Sequence, residues 1–285
     1  MILVADSDSS KTYWILQLPE SQSLEFKTKG INPFYFPEKE IVKMLNSSAD
    51  ILKVALDVTE VHFFGAGCSN PDRREIVSNA LSTVFKNAFI NVENKIIGCV
   101  YATCGTNKGI TGILSTGSHS AYFDGAKIHY SKQGLGFILG DEGSATYFGK
   151  LLITSYLNGA MPTALHRAFK AVYNLDKETV MNNVYQKTSS NVYLASFTDF
   201  MLKNKSSPFI QGLLIKGFKE FLNESIVRFS HYKEVPCHFV GPIAFQFKET
   251  LIDVCVEYGI NVGSILEHPI KEIFDFLLRQ EKQVG

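Results

Sequence analysis

Apolar and polar positions alternate along the chain in two registers, one of period two and one near 3.6. MILVAD is a short apolar run of the kind that makes a buried strand; SDSSKT is a polar turn, and YWILQL reads as a second strand, so the opening is a hairpin. SLEFKT continues as a third strand. Residues 38–57 carry Ile41, Met44, Leu45, Ile51, Leu52 and Ala55 at helical spacing. The strand EVHFFGAG follows, then the loop CSNPDR, a helix through Phe85, and a small-residue helix from Ile96 to Thr103.

The pattern restarts near Lys108. GITGILST predicts a strand, GSHS a tight turn and SAYFDG a second strand ending in a DG turn signal. KIHYSKQGLG reads as extended chain, and GDEGSATYFGKLLITSYL becomes an amphipathic helix. Residues 164–232 are helical in pattern, with polar breaks near Asn204–Pro208. VPCHFVGPI is a buried strand, a helix begins near Ala244, and the tail 268–282 is a charged helix with Ile270, Ile273, Phe274, Leu277 and Leu278 on one side. Two similar hairpins, about 110 residues apart, each open a strand-rich half that ends in helices. This spacing suggests an internal duplication and two α/β lobes.

Composition narrows the function classes. The 28 basic residues balance 28 acidic ones, which leaves no electrostatic footprint for nucleic acid or an anionic membrane. MILVADSDSS lacks a basic segment ahead of an apolar one, so no secretory leader is expected, and no apolar run has the ~18 residues of a membrane span. Five cysteines without a C-x-x-C pair read as reduced thiols, and the expected location is cytoplasmic.

Four turns share one chemical logic. At Ser7–Thr12, Thr116–Ser120 and Gly241–Ala244 a buried strand delivers small residues whose amides can cradle an anion. The fourth, Gly140–Ser144, sits just before a helix, where free N–H groups and the dipole favour negative charge.

Five ordered blocks carry a resemblance: VADSDSSKTYW, FFGAGCSNP, GILSTGSHSAYFDG, LGFILGDEGSATYFGK and HFVGPIAF. Together, from Ile2 to about Leu278, they resemble the BadF/BcrA-type ATPases, and within them the N-acetylglucosamine kinases of the actin/hexokinase/Hsp70 superfamily. The resemblance implies an α/β fold of two ribonuclease-H-like lobes, 1–108 and 109–268, around a central cleft. A C-terminal helix, 269–285, is placed to pack back on the first lobe. It also implies ATP with Mg²⁺, an amino sugar beside the γ-phosphate, and an assembly compatible with a homodimer.

Roles carry over at matching positions. Asp6 corresponds to the acid that helps place Mg²⁺ through water, and Asp8, Ser9, Ser10, Lys11 and Thr12 correspond to the turn that wraps the phosphates. Thr116, Gly117 and Ser118 match the second phosphate-gripping turn, and Gly241 with Pro242 the adenosine turn, where a missing side chain lets nucleotide lie against backbone. Asn32, Ser118, His119 and Asp141 match sugar contacts.

Some positions depart from the family pattern. Asp8 replaces a glycine and is expected to bring negative charge against the phosphates. Tyr13 replaces a common Asp, His119 an Asn, and Pro242 removes one N–H donor. Lys95 stands at the general-base position, and a protonated Lys accepts no proton. Glu93, two residues away, is the candidate substitute. Two readings therefore remain open: an ATP-dependent amino-sugar kinase with altered catalytic residues, or a non-catalytic paralogue that binds sugar or nucleotide.

Overall fold

A computed structural model describes residues 1–284. The chain divides into two compact units, 1–106 with 268–285, and 107–267; residue 285 lies outside the described residues.

Unit 1 opens with β1 (Ile2–Ser7), β2 (Lys11–Gln17) and β3 (Ser23–Lys29), a meander of antiparallel neighbours. Helices α1 (Glu38–Asn46) and α2 (Ala49–Val54) lead to β4 (Glu60–Gly65), α3 (Pro71–Val84), β5 (Phe89–Asn94) and α4 (Lys95–Thr103). β4 lies parallel to β1, and β5 parallel to β4, so the sheet runs β3-β2-β1-β4-β5. Both faces are covered, which is why β1 reads as a continuous apolar run. Leu3, Ala5, Trp14 and Phe63 pack in one cluster. Ile2, Val4, Ile15 and Phe64 pack in the other, with Ile270, Ile273 and Phe274 of the C-terminal helix (Ile270–Val284).

Unit 2 repeats the plan. β6 (Gly109–Leu114), β7 (Ser118–Phe123) and β8 (Ile128–His129) form the meander; β9 (Cys237–Val240) lies parallel to β6, and β10 (Val262–Leu266) parallel to β9. The order β10-β9-β6-β7-β8 is the unit 1 order read from the other edge. Between β8 and β9 run α5 (Gly136–Leu139), α6 (Ala145–Leu157), α7 (Thr163–Tyr173), α8 (Lys177–Tyr185), α9 (Ser190–Ala195), α10 (Thr198–Lys203) and α11 (Pro208–Phe221), the last continued by a π-helical turn, Leu222–Ile226. α12 (Pro242–Gln246) and α13 (Lys248–Glu257) precede β10; the C-terminal helix is α14. The core of unit 2 is aromatic, with Phe148, Phe169, Phe218, Phe221 and Phe239 fully buried.

Several local expectations are corrected. The helical pattern over 38–57 forms two helices, because Ser48 adopts extended backbone and its hydroxyl caps α2 by accepting from the Ile51 amide. The GSHS turn is shorter: β7 already begins at Ser118, and the Ser115 amide closes on the Gly117 carbonyl. Only Ile128–His129 of KIHYSKQGLG pairs as a strand. β5 and β10, both edge strands, go unanticipated because FINVEN and VGSIL are too short and too mixed to show a period.

Candidate functional site

In unit 1 the β1–β2 turn is satisfied from within. Asp8 folds its carboxylate back over its own turn, where Oδ1 accepts from the Ser10 amide and the Ser10 hydroxyl, both at 2.7 Å, and from the Lys11 amide at 2.9 Å. Burial alone would raise the Asp8 pKa, but the Lys95 charge and these turn donors hold it below the ordinary carboxylate value. The amides expected to wrap phosphate already hold an anion.

The other polar groups of the turn are also engaged. Thr12 is fully buried, its Oγ1 2.8 Å from Ser7 Oγ and donating to the Lys29 carbonyl. Ser7 Oγ in turn accepts from the Ile31 amide at 3.0 Å. Asn32 donates from Nδ2 to Ser9 Oγ at 2.8 Å, and its Oδ1 accepts from the Phe34 amide. Gly30 must be glycine here, since a Cβ would lie 2.2 Å from the Asp8 carbonyl oxygen. Ser7 opens the turn that sequence reasoning singled out; Gly30 is a structural member of this site that it missed, since no local pattern ties that glycine to the β1–β2 turn.

Register explains the feature that dominates the unit. Ser7 of β1 lies level with Gly65 of β4 and Asn94 of β5, and the Asn94 side chain caps α4, whose first residue is Lys95. The Lys95 side chain thus reaches Asp6, and Nζ contacts both carboxylate oxygens, at 2.6 and 2.7 Å. Asp6 is 2% exposed and Lys95 8%. Burial pulls the Lys95 pKa down, but the Asp6 and Asp8 carboxylates outweigh it, and the ammonium titrates above the ordinary lysine range. So held, Lys95 can only donate. Asp6 in this arrangement does not fit a magnesium-placing role, because a cation already spans both its oxygens. Glu93 shares the sheet face of Asp6 through the register Asp6–Phe64–Glu93, two strands away, or roughly 10 Å.

Unit 2 presents a different state. The amides at the start of α6 are taken by protein acceptors: Ala145 donates to the Ser115 carbonyl, Thr146 to the Thr116 carbonyl, and Tyr147 to the Ser144 hydroxyl. The turn Gly140–Ser144 therefore offers no free helix-start amides to an anion, contrary to expectation. What it offers is the Asp141 side chain. Asp141 sits at φ 60°, in the left-handed region that Asp tolerates better than most residues. A Cβ on Gly117 would lie 2.9 Å from Asp141 Oδ2, so glycine admits the carboxylate to the β6–β7 turn. Burial pushes the Asp141 pKa up to about 6, against the pull of the Ser118 amide that donates to it.

Beside this carboxylate opens a pocket of about 380 Å³, lined by Ser118, Lys132, Gln133, Leu135, Leu139, Asp141, Glu142 and Arg228, among others. Ser118 Oγ is buried there without a partner among the described residues. Lys132 pairs with Glu142 at 2.7 Å, and Arg228 with Glu224. His119 stacks on Tyr130 at 5.6 Å, and burial, helped by Lys132, lowers its pKa to about 4, so the imidazole is neutral. An orphaned buried hydroxyl beside a carboxylate fits a polar, hydroxyl-bearing ligand, and the carboxylate is placed to accept its proton.

Gly241 has φ 120°, and a Cβ there would meet the Leu114 carbonyl oxygen at 2.4 Å. Its missing side chain is required by the neighbouring β6 backbone. Pro242 is the first residue of α12, where the helix needs no N–H from it. The structure thus gathers Asp6, Asp8 and Lys95 in unit 1, and Gly117, Ser118 and Asp141 in unit 2.

Neither a protein-family model nor a curated protein matches this chain. Solved structures do. A Porphyromonas gingivalis protein, provisionally named an N-acetylglucosamine kinase, is 35% identical over 99% of this chain and 100% of its own, with a TM-score of 0.90. A Chromobacterium violaceum protein of the same provisional name is 15% identical over 97% and 98%, with a TM-score of 0.69. A Streptomyces griseus ROK-family glucokinase, solved with glucose and AMPPNP, is 12% identical over 98% and 99%, with a TM-score of 0.55. The last two share the fold alone, the actin-like sugar-kinase fold that the paired sheets already indicate. With 35% identity spanning essentially the whole of both chains, this protein belongs to the family of the P. gingivalis N-acetylglucosamine kinase-like protein.

Proposed function

We propose that this protein is an ATP-dependent kinase of N-acetylglucosamine or a related amino sugar, of the BadF/BcrA type. The observation that carries the reading is the unit 2 pocket, where Ser118 Oγ is buried next to Asp141 without a partner among the described residues. Its volume falls in the range of small-molecule sites. Its lining pairs apolar Leu135 and Leu139 with polar groups, as a sugar ring with one apolar face and a rim of hydroxyls requires. The name of the 35% identical relative points the same way. In this reading Asp141, Ser118 and His119 hold the sugar, and Thr116, Gly117 and Ser118 meet the phosphates. Gly241 and Pro242 flank the adenosine. Five buried cysteines, none in a disulfide among the described residues, suit a reducing, ATP-containing compartment such as the cytoplasm.

The Asp6–Lys95 pair favours a second reading, a sugar- or nucleotide-binding paralogue without turnover. ADP release, followed by a coupled assay on purified protein with Mg-ATP and N-acetylglucosamine, separates the two. Sugar-dependent ADP production establishes the kinase. Sugar binding by calorimetry with no ADP production establishes the paralogue.

A further inference from the structure

We propose that Asp141 is the general base of the reaction, taking the proton from the sugar hydroxyl that attacks the γ-phosphorus of ATP. This rests on the kinase reading above. In the step, the hydroxyl proton passes to an Asp141 oxygen and a new O–P bond forms. The bond from the γ-phosphorus to the β,γ-bridging oxygen breaks, and ADP leaves with the electron pair.

The geometry favours Asp141 over the family's base position and over the other carboxylates that line its pocket. Lys95, at the position where the family pattern has its base, is a buried ammonium spanning Asp6. Asp8 is spent on its own turn. Of the carboxylates that line the unit 2 pocket, Glu142 is paired with Lys132 and Glu224 with Arg228. Asp141 has neither a lysine nor an arginine in ion-pair contact among the described residues, and its one protein donor is the Ser118 amide. That amide fixes the carboxylate against Gly117, beside the Ser118 hydroxyl that lacks a partner. The backbone at φ 60° is strained for a side-chain-bearing residue, and strain of this kind persists where the surrounding structure holds a functional group in place. Here the Ser144 amide donates to the Asp141 carbonyl and closes the turn.

Burial, with the charged groups around Asp141 partly offsetting one another, sets its titration near neutral pH. Burial raises its pKa and Glu142, its neighbour in the chain, adds to the rise, while Lys150 of α6 and Lys132 oppose it. His119 is neutral at physiological pH and adds no charge. A carboxylate with a pKa of about 6 is ionised at pH 7 and still basic enough to take a proton, which is the balance general-base catalysis favours.

The test uses the full-length protein and Asp141→Asn, which keeps an oxygen for the Ser118 amide and tolerates left-handed backbone. The expected result has three parts. The parent kcat/KM rises with pH through a midpoint near 6; the variant loses kcat by at least ~10²-fold and loses that acid limb; and N-acetylglucosamine still binds the variant within severalfold of the parent by calorimetry. Carbon-13 NMR supplies a readout without turnover, as one side-chain carboxyl titrating near pH 6 should vanish in the variant. A variant with parental kcat at saturating sugar, or with the acid limb retained, overturns the assignment while leaving the kinase reading intact. A parent that binds the sugar and never produces ADP overturns both.

Discussion

The two units share one sheet plan and use it in opposite ways. In each, an antiparallel meander is extended by two parallel strands, and a short turn joins the first hairpin beside the first parallel strand. In unit 1 that turn is filled by the chain itself: Asp8 occupies its amides, and Lys95 neutralises Asp6. In unit 2 the corresponding turn leaves the Ser118 hydroxyl without a partner among the described residues and draws Asp141 in against Gly117. A duplicated scaffold fixes where polar groups emerge, while single residues decide whether they serve each other or a ligand.

The largest test of this contrast is Lys95→Met, which leaves Asp6 buried without its cation. Urea denaturation at pH 7.5 should show a loss of about 3–5 kcal/mol, most of it recovered in the double variant Asp6→Asn/Lys95→Met. A loss below about 1 kcal/mol would show that the pair does not hold unit 1. Lys95→Asp, the change that the family pattern recommends, should be as harmful, because it sets a second carboxylate against Asp6.

Next come the glycines that let each turn close. Gly30→Ala and Gly241→Ala push a methyl to 2.2 and 2.4 Å from backbone oxygens. Each should cost about 2–4 kcal/mol, read as a drop in thermal midpoint. A tolerated substitution in one unit alone would show that the two turns are not equivalent.

The third test follows from the raised Asp141 pKa. A carboxyl whose folded pKa lies above its unfolded value stabilises the fold below about pH 4, and that contribution is lost as pH rises through about 6. Asp141→Asn should therefore be more stable than the parent by about 2 kcal/mol at pH 7.5 and equal to it near pH 3.5. Equal stability at both pH values would place the Asp141 carboxylate in water.

The smallest effect is expected from Asp8→Gly. Removing the carboxylate should cost about 1 kcal/mol of stability and free the Ser10 and Lys11 amides. Calorimetry should then show Mg-ATP binding tightened by about tenfold, or about 1.4 kcal/mol. Unchanged affinity would mean that the unit 1 turn is not a phosphate site.

Much of the fold was legible in the chain. The largely apolar runs of β1, β6 and β9 mark strands buried on both faces, and the two hairpin patterns foretold the paired sheets. The edge strands β5 and β10 were not legible, since half-exposed short strands carry no distinct period. That gap had a consequence for the site. Without β5 in register beside β4, nothing in the sequence sets Lys95 against Asp6, 89 residues earlier in the chain.

The sequence by itself determined the α/β class, the duplicated plan and the small polar residues that end each apolar strand, because local periodicity and turn chemistry act over a few residues. Tertiary structure decided how those residues are used. Long-range register paired Asp6 with Lys95, a turn of backbone aimed Asp8 at its own amides, and glycine at position 117 opened room for Asp141. Charge, burial and hydrogen bonding depend on neighbours in space, and those neighbours come from parts of the chain that no local pattern connects.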